Sequence, residues 1–200
     1  MKKLSFVIMA AAAVLSLQAC HSNKDSKGEA DSINNAKDVT KGDSLKKDTT
    51  KMAMTVDNGD AKFATEAANG GMAEVMMGKL AQERGVSQKV KDFGAMMVMD
   101  HSKANDEMTT LAKSKNITLP AVVDADEQKH YDDLNKKTGA DFDKAYASMM
   151  IDDHKGDIKA FEDASKNLKD PDLKAFAIKT LPTLKKHLDA INEVDKSLKK

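Results

Sequence analysis

The stretch Val90-Lys91-Asp92-Phe93-Gly94-Ala95-Met96-Met97-Val98-Met99-Asp100-His101-Ser102-Lys103-Ala104-Asn105-Asp106-Glu107-Met108 decides the fold. Val90, Phe93, Met97, His101, Ala104, Met108 and then Leu111 recur in steps of three and four, the spacing that lines one face of an α-helix. One member of that face is a histidine. An imidazole buried mid-stripe needs hydrogen bonds or a metal to offset its desolvation.

Working outward, Ser87 reads as the N-cap of this helix, which runs to about Lys115 and is closed by Asn116 and Pro120. Before it, helical periodicity begins near Asp60 and stops at Arg84, with Gly85 as the residue that ends it. After it, Asp124 and Glu127 form a capping box for a short helix over about Ala125 to Lys137. Thr138-Gly139 breaks that helix, and a long one follows from about Ala140 to Leu168. Asp170-Pro171, a cap followed by Pro at the first helical position, opens the last helix, which continues to about Leu198. Pro182 lies inside it and frees the carbonyl of Ile178. Four long helices of similar length predict an all-α four-helix bundle over residues 59–200. The long link holding the short helix predicts a crossover that leaves the second and third long helices parallel; a simple up-down bundle is the competing topology.

Each long helix interrupts its apolar stripe near the middle. The first reads Phe63, Ala67, Gly70, Glu74, Met77, Ala81, and the third reads Ala147, Ile151, His154, Ile158, Phe161, Ser165, Leu168. The fourth reads Leu173, Ala177, Thr180, Leu184, His187, Ile191, Val194, Leu198. Glu74, His101, His154 and His187 therefore fall at one depth whichever way the helices run. Three imidazoles and a carboxylate in a bundle core make a transition-metal site, for Cu, Zn or Fe. The competing reading is a metal-free hydrogen-bonded Glu–His cluster. A di-iron carboxylate centre needs Glu three residues before a ligand His, and those positions hold Val98, Ile151 and Leu184. Ferroxidase chemistry is thus disfavoured.

A local repeat accompanies the histidines. Met96-Met97-Val98-Met99-Asp100-His101 parallels Met149-Met150-Ile151-Asp152-Asp153-His154, with Phe93 matching Tyr146. Met97 and Met150 each precede a His by four residues; they suit either core filling or a thioether contribution to copper. Asp100 and Asp153 suit either a solvated edge or a role orienting a neighbouring helix's imidazole. His130 and His21 read as surface residues.

The N-terminus has a different texture. Lys2-Lys3, the apolar run Leu4 to Leu15, and Leu17-Gln18-Ala19-Cys20 form a lipoprotein signal peptide over residues 1–19, with Cys20 as the lipidated first residue of the mature chain. Acylation of Cys20 predicts a stable membrane anchor. His21 in place of Asp after the cysteine favours the outer membrane, on its periplasmic or surface face. Residues 20–58 carry scattered apolar residues without a period and predict a disordered linker, with a reach of about 35 Å.

Composition narrows function. The chain of 200 residues has 32 basic and 32 acidic side chains. Without Lys2 and Lys3 the balance is 30 against 32, which gives no electrostatic footprint for nucleic acid. A single Cys excludes an intramolecular disulfide and, once lipidated, leaves no catalytic thiol. No Ser-His-Asp arrangement or phosphate-binding glycine loop stands in a supporting context, so catalysis is not expected.

The blocks Phe63-Ala64-x-Glu66-Ala67-Ala68-x-Gly70-Gly71-Met72-Ala73-Glu74 and Val90-Lys91-x-Phe93-Gly94-x-x-Met97-x-x-Asp100-His101-Ser102-Lys103-Ala104-Asn105 are the most distinctive in the chain. With Phe142-Asp143-x-x-Tyr146 and Leu181-Pro182-x-Leu184-x-x-His187-Leu188, they resemble the domain-of-unknown-function 4142 family from about Asp60 to Val194. The resemblance implies a ferritin-like bundle in an exported bacterial protein and puts the family's Glu and three His at Glu74, His101, His154 and His187. It implies no activity. By analogy alone, related ferritin-like families that bind copper favour a metal. The expected function is a membrane-tethered envelope lipoprotein whose bundle binds a transition metal. Its alternative is a non-catalytic structural or interaction protein of the envelope with a metal-free polar cluster.

Overall fold

The computed structural model describes residues 25–38 and 56–199. Among these there are six helices and no strand: α1 (Ser26–Lys37), α2 (Asn58–Arg84), α3 (Gln88–Ser114), α4 (Ala125–Asn135), α5 (Gly139–Asn167) and α6 (Pro171–Leu198). The signal segment, Cys20 and His21 lie outside the described residues.

Two antiparallel hairpins, α2–α3 and α5–α6, make the bundle. Their relative direction follows from two apolar clusters. One joins Phe63 and Ala68 of early α2 with Met108 and Ala112 of late α3, Phe161 of late α5 and Phe176 of early α6. The other joins Met77 and Leu80 of late α2 with Val90 and Phe93 of early α3, Phe142 and Tyr146 of early α5, and Ile191 of late α6. So α3 and α5 run parallel, as the crossover reading expects, and α4 lies in the connection between them. The bundle thus has an apolar core at each end and a middle layer between.

The hairpins lock each other's turns. Asp143 of α5, 2% exposed, accepts hydrogen bonds from Val86 N (3.0 Å) and Ser87 N (2.7 Å) at the start of α3. Reciprocally, Asp60 of α2 accepts from Lys169 N (3.2 Å) and Asp170 N (2.5 Å) at the start of α6. Each carboxylate stabilises orphan N–H groups at a helix N-terminus. Ser87 occupies the cap position of α3 but makes no side-chain cap bond. Asp170 caps α6 as expected, accepting from Asp172 N and Leu173 N beside Pro171.

The α2–α3 pair is in backbone contact. A Cβ on Gly78 would lie 2.7 Å from the carbonyl oxygen of Gly94, and one on Gly94 would lie 2.6 Å from that of Gly78. No side chain fits there without separating the helices.

Two expectations need correction. The linker reading fails over Ser26–Lys37, which forms a helix capped by Asp25 and docked on the bundle. Asn34, 1% exposed, pairs in both directions with Thr118, giving Nδ2 to Thr118 O (2.8 Å) and taking Thr118 N on Oδ1 (2.8 Å). Lys37 Nζ donates to Asn116 O (3.0 Å), and Ser26 Oγ accepts from Ala121 N (2.9 Å). Polar pairing does most of this docking, so no apolar period marks it in the sequence. Second, the domain starts before residue 59: Val56 is in the core, and Asp57 caps α2 through Asp60 N (3.0 Å). The α2 stripe is also wider than expected, with Ala64, Ala68, Asn69 and Ala73 buried, because α1 and α4 cover its outer face.

Candidate metal centre

The middle layer is polar. Glu74, His101, His154 and His187 are 3%, 6%, 0% and 0% exposed. The helix registers that bury Met77, Met97, Met150 and Leu184 bring these four side chains inward at the same height. One nitrogen from each of His101, His154 and His187 lies within 4.8 Å of the other two. Ring centroids are 5.3–5.9 Å apart, and Phe93 packs edge-on against His154 and His187.

The outer contacts decide which nitrogens carry protons. His154 Nδ1 lies 2.8 Å from the main-chain oxygen of Met150, which can only accept, so Nδ1 is the donor and Nε2 keeps its lone pair. His187 Nε2 donates to Asp100 Oδ2 at 2.9 Å, leaving the lone pair on Nδ1. His101 Nδ1 lies 2.8 Å from Glu74 Oε2, and its Nε2 points away from that carboxyl without a hydrogen-bond partner. Hydrogen-bond partners of this kind fix tautomer and ring orientation in metal-binding histidines.

The consequence is an excess of lone pairs. His154 Nε2 and His187 Nδ1 face each other at 3.3 Å, both as acceptors in this tautomeric arrangement. His101 Nε2 is buried with no hydrogen-bond partner, an arrangement that costs free energy unless something electropositive completes it. Desolvation pushes the His101 pKa down to about 4 and lowers those of His154 and His187, so the rings are neutral near pH 7. Neutral imidazoles are the ligating form.

Glu74 stands at the edge of the triad. It contacts His101 and, through Oε1, lies 3.4 Å from His154 Nε2, but it is not a member of the mutually close set. Burial pushes its carboxyl up to about 7, against the lowering influence of His154. Of the two repeat aspartates, Asp100 orients His187, whereas Asp153 has no histidine partner among the described residues. Met97 and Met150 are fully buried in the apolar cluster around Phe93, and the contact of Met150 with the layer runs through its carbonyl. The His130 side chain is half exposed, 3.6 Å from Glu127, as expected of a surface residue.

Sequence reasoning named Asp153 as an edge or orienting carboxylate and Glu127 as a capping residue, but missed Asp157 and the cavity that brings the three together. Asp153, Asp157 and Glu127 line a cavity of about 80 Å³ together with Glu74, Gly70, Ala73 and Met77. Burial, then neighbouring carboxylates, push Asp153 up to about 7 and Asp157 up to about 8. Asp157 lies one turn beyond His154, a spacing that could have flagged it. Glu127 comes from the short α4, whose docking side nothing local specifies. Another concavity, about 640 Å³, lies away from the layer at the start of α2, where Asp57 is paired with Lys169 at 2.6 Å.

No curated protein and no solved structure matches the chain. The family described as a domain of unknown function, DUF4142, matches residues 45–194. That span includes α2 to α5, most of α6 and every residue of the histidine layer. The chain belongs to the DUF4142 family.

Proposed function

We propose that this protein is a lipid-anchored envelope protein whose bundle binds a transition metal through His101 Nε2, His154 Nε2 and His187 Nδ1. One observation carries the metal reading: three buried imidazoles bring one nitrogen each within 4.8 Å of the other two, and His154 and His187 have their other nitrogen engaged by a main-chain carbonyl and a carboxylate. The donor set fits. Imidazole suits Zn²⁺, copper and iron, and three histidines leave a further position for water or another small ligand. A bound cation would supply Lewis acidity and would offset the facing lone pairs. Glu74, the Met150 carbonyl and Asp100 hold the rings in register, and Phe93 screens the layer from water. The role is binding or buffering.

A metal-free polar layer is the second reading, and the 3.3 Å His154–His187 contact favours it insofar as one shared proton would satisfy both nitrogens. That proton would leave His101 Nε2 without a partner. The two readings separate in one experiment. Purified protein, stripped with chelator, loaded with Zn²⁺, Cu⁺, Cu²⁺ or Fe²⁺ and desalted, is expected to retain about one metal per chain for at least one of these ions. A His101→Ala, His154→Ala double variant is expected to retain none. Absence of retention for all four ions contradicts the metal reading and leaves the polar layer.

The anchor rests on the signal pattern ending at Cys20. Docking of α1 changes its geometry: the five steps from Cys20 to Asp25 span at most about 18 Å, half the reach expected of a free linker. The bundle would then sit close to the lipid surface, on the side of α1 and the 116–122 loop. Cys20→Ser is expected to abolish globomycin-sensitive processing and membrane fractionation. Unchanged membrane retention contradicts the anchor.

A further inference from the structure

The cavity between α2, α4 and α5 has no histidine in its lining, but shares Gly70, Glu74 and Asp157 with the adjoining pocket that reaches His101. Its polar lining is all carboxylate: Glu74, Glu127, Asp153 and Asp157. Among the described residues, no lysine or arginine pairs with any of them; the nearest cationic candidate is His130, 3.6 Å from Glu127 on the outer side. Other carboxylates withdrawn from solvent have partners: Asp170 has Lys115, and Asp60 and Asp143 accept from backbone N–H groups.

A second observation points to a ligand. Glu74 is 97% buried by its 3% exposure, lines this cavity, and its Oε1 has no hydrogen-bond partner. Its other oxygen lies 2.8 Å from His101 Nδ1. A buried, unpaired carboxylate oxygen beside three further carboxylates is offset either by a proton or by a cation. Cavity size and spacing set the kind of cation. No three of these carboxylates bring oxygens within 4.8 Å of one another, so the lining does not form a dehydrated cage. The volume of about 80 Å³ accommodates several waters, each needing only about 10–15 Å³. Small hard divalent cations keep much of their water and take carboxylate oxygens, partly through that water.

We infer that this cleft binds one hydrated divalent cation of the oxygen-preferring class, Mg²⁺, Mn²⁺ or Ca²⁺, using Glu74, Glu127, Asp153 and Asp157. The site is distinct in chemistry from the nitrogen triad and does not depend on a metal there. Glu74 links the two, with Oε2 2.8 Å from His101 and Oε1 3.4 Å from His154 while the side chain also lines the cleft, so cation binding would bear on the rings beside it.

Mn²⁺ is the probe. The chelator-stripped full chain in detergent is titrated at pH 8, and free hexaaqua Mn²⁺ is followed by its paramagnetic resonance signal. The expected result is about one bound Mn²⁺ per chain, displaced by Mg²⁺ or Ca²⁺. Asp153→Asn with Asp157→Asn should weaken binding at least tenfold, and Glu127→Gln, on a different helix, at least threefold. His187→Ala, on the far side of the layer, should leave Mn²⁺ affinity unchanged while abolishing Zn²⁺ retention. Far-UV circular dichroism checks that each variant keeps its helices; Glu127→Gln carries the test if the double variant does not fold. No protein-dependent loss of the Mn²⁺ signal, binding indifferent to both carboxylate changes, or binding lost with His187→Ala would overturn the inference. Failure of Zn²⁺ retention with Mn²⁺ binding intact would sink the metal-triad reading and leave this one standing.

Discussion

The same six-residue pattern, methionines leading to Asp-His, occurs in α3 and in α5, and its two copies have come to serve different surroundings. In both, the methionine four residues before the histidine is fully buried and the histidine enters the layer. The aspartates part company. Asp100 of α3 meets α6 and accepts from His187 Nε2 at 2.9 Å. Asp153 of α5 faces α2 and α4 and lines a cavity with other carboxylates. Helix register fixes what points inward, but a residue one step off the stripe takes its role from whichever helix lies alongside.

The largest effect that separates the copies is on metal affinity. Loss of an acceptor that orients a metal-binding histidine costs about 10–100-fold. Asp100→Ala is accordingly expected to weaken Zn²⁺ binding within that range in a chelator competition, while Asp153→Ala changes it less than about threefold. Equal effects would erase the distinction.

Next is stability against pH, measured in chelator so that no cation intervenes. Burial and neighbouring carboxylates raise Asp153 to about 7 and Asp157 to about 8 in the folded state, from 3.8 in the absence of these surroundings. For groups raised on folding, the stabilising contribution is fully present below the unfolded value and is lost as pH rises through the folded one. Asn mimics the protonated carboxyl at every pH. Asp153→Asn with Asp157→Asn is therefore expected to raise Tm at pH 8.5, on the order of 4 °C, and to change it little at pH 4. A gain at pH 4 equal to that at pH 8.5 would contradict the burial account.

The smallest effect concerns what the copies share. Met97 and Met150 fill the core, and Met150 touches the layer through its carbonyl. Met97→Leu and Met150→Leu preserve volume and should each cost less than about 1.5 kcal/mol. Metal stoichiometry should be unchanged in both; loss in either would make that thioether a ligand.

Much of the fold was legible because the long helices announce themselves with stripes and punctuation. Arg84-Gly85, Thr138-Gly139 and Asp170-Pro171 all mark real boundaries, and the position of His101, His154, His187 and Glu74 at mid-stripe gave the layer. Three things were not legible. Helix α1 docks through Asn34 and Lys37 onto backbone groups near Thr118, and polar docking leaves no period. The cap of α3 comes from Asp143, distant by 56 residues from Ser87, so a local reading assigns the wrong residue. The acidic cavity depends on which side of α2 and α5 receives α4, a packing choice that the sequence of α4 does not specify. The layer itself was read as one set of four, whereas the three imidazoles form the mutually close group and Glu74 stands beside His101 and His154.

The central claim is that three imidazole lone pairs face one another, those of His154 and His187 held by hydrogen bonds on the opposite ring nitrogens. Long-range ¹H–¹⁵N correlation of the imidazole nitrogens tests it most directly. In stripped protein near pH 7 the spectrum should show the proton on Nδ1 of His101 and His154 and on Nε2 of His187. On adding one equivalent of Zn²⁺, the unprotonated nitrogens, His101 Nε2, His154 Nε2 and His187 Nδ1, should move together. The opposite tautomers, or a doubly protonated His154 or His187 that does not respond to metal, would contradict the account.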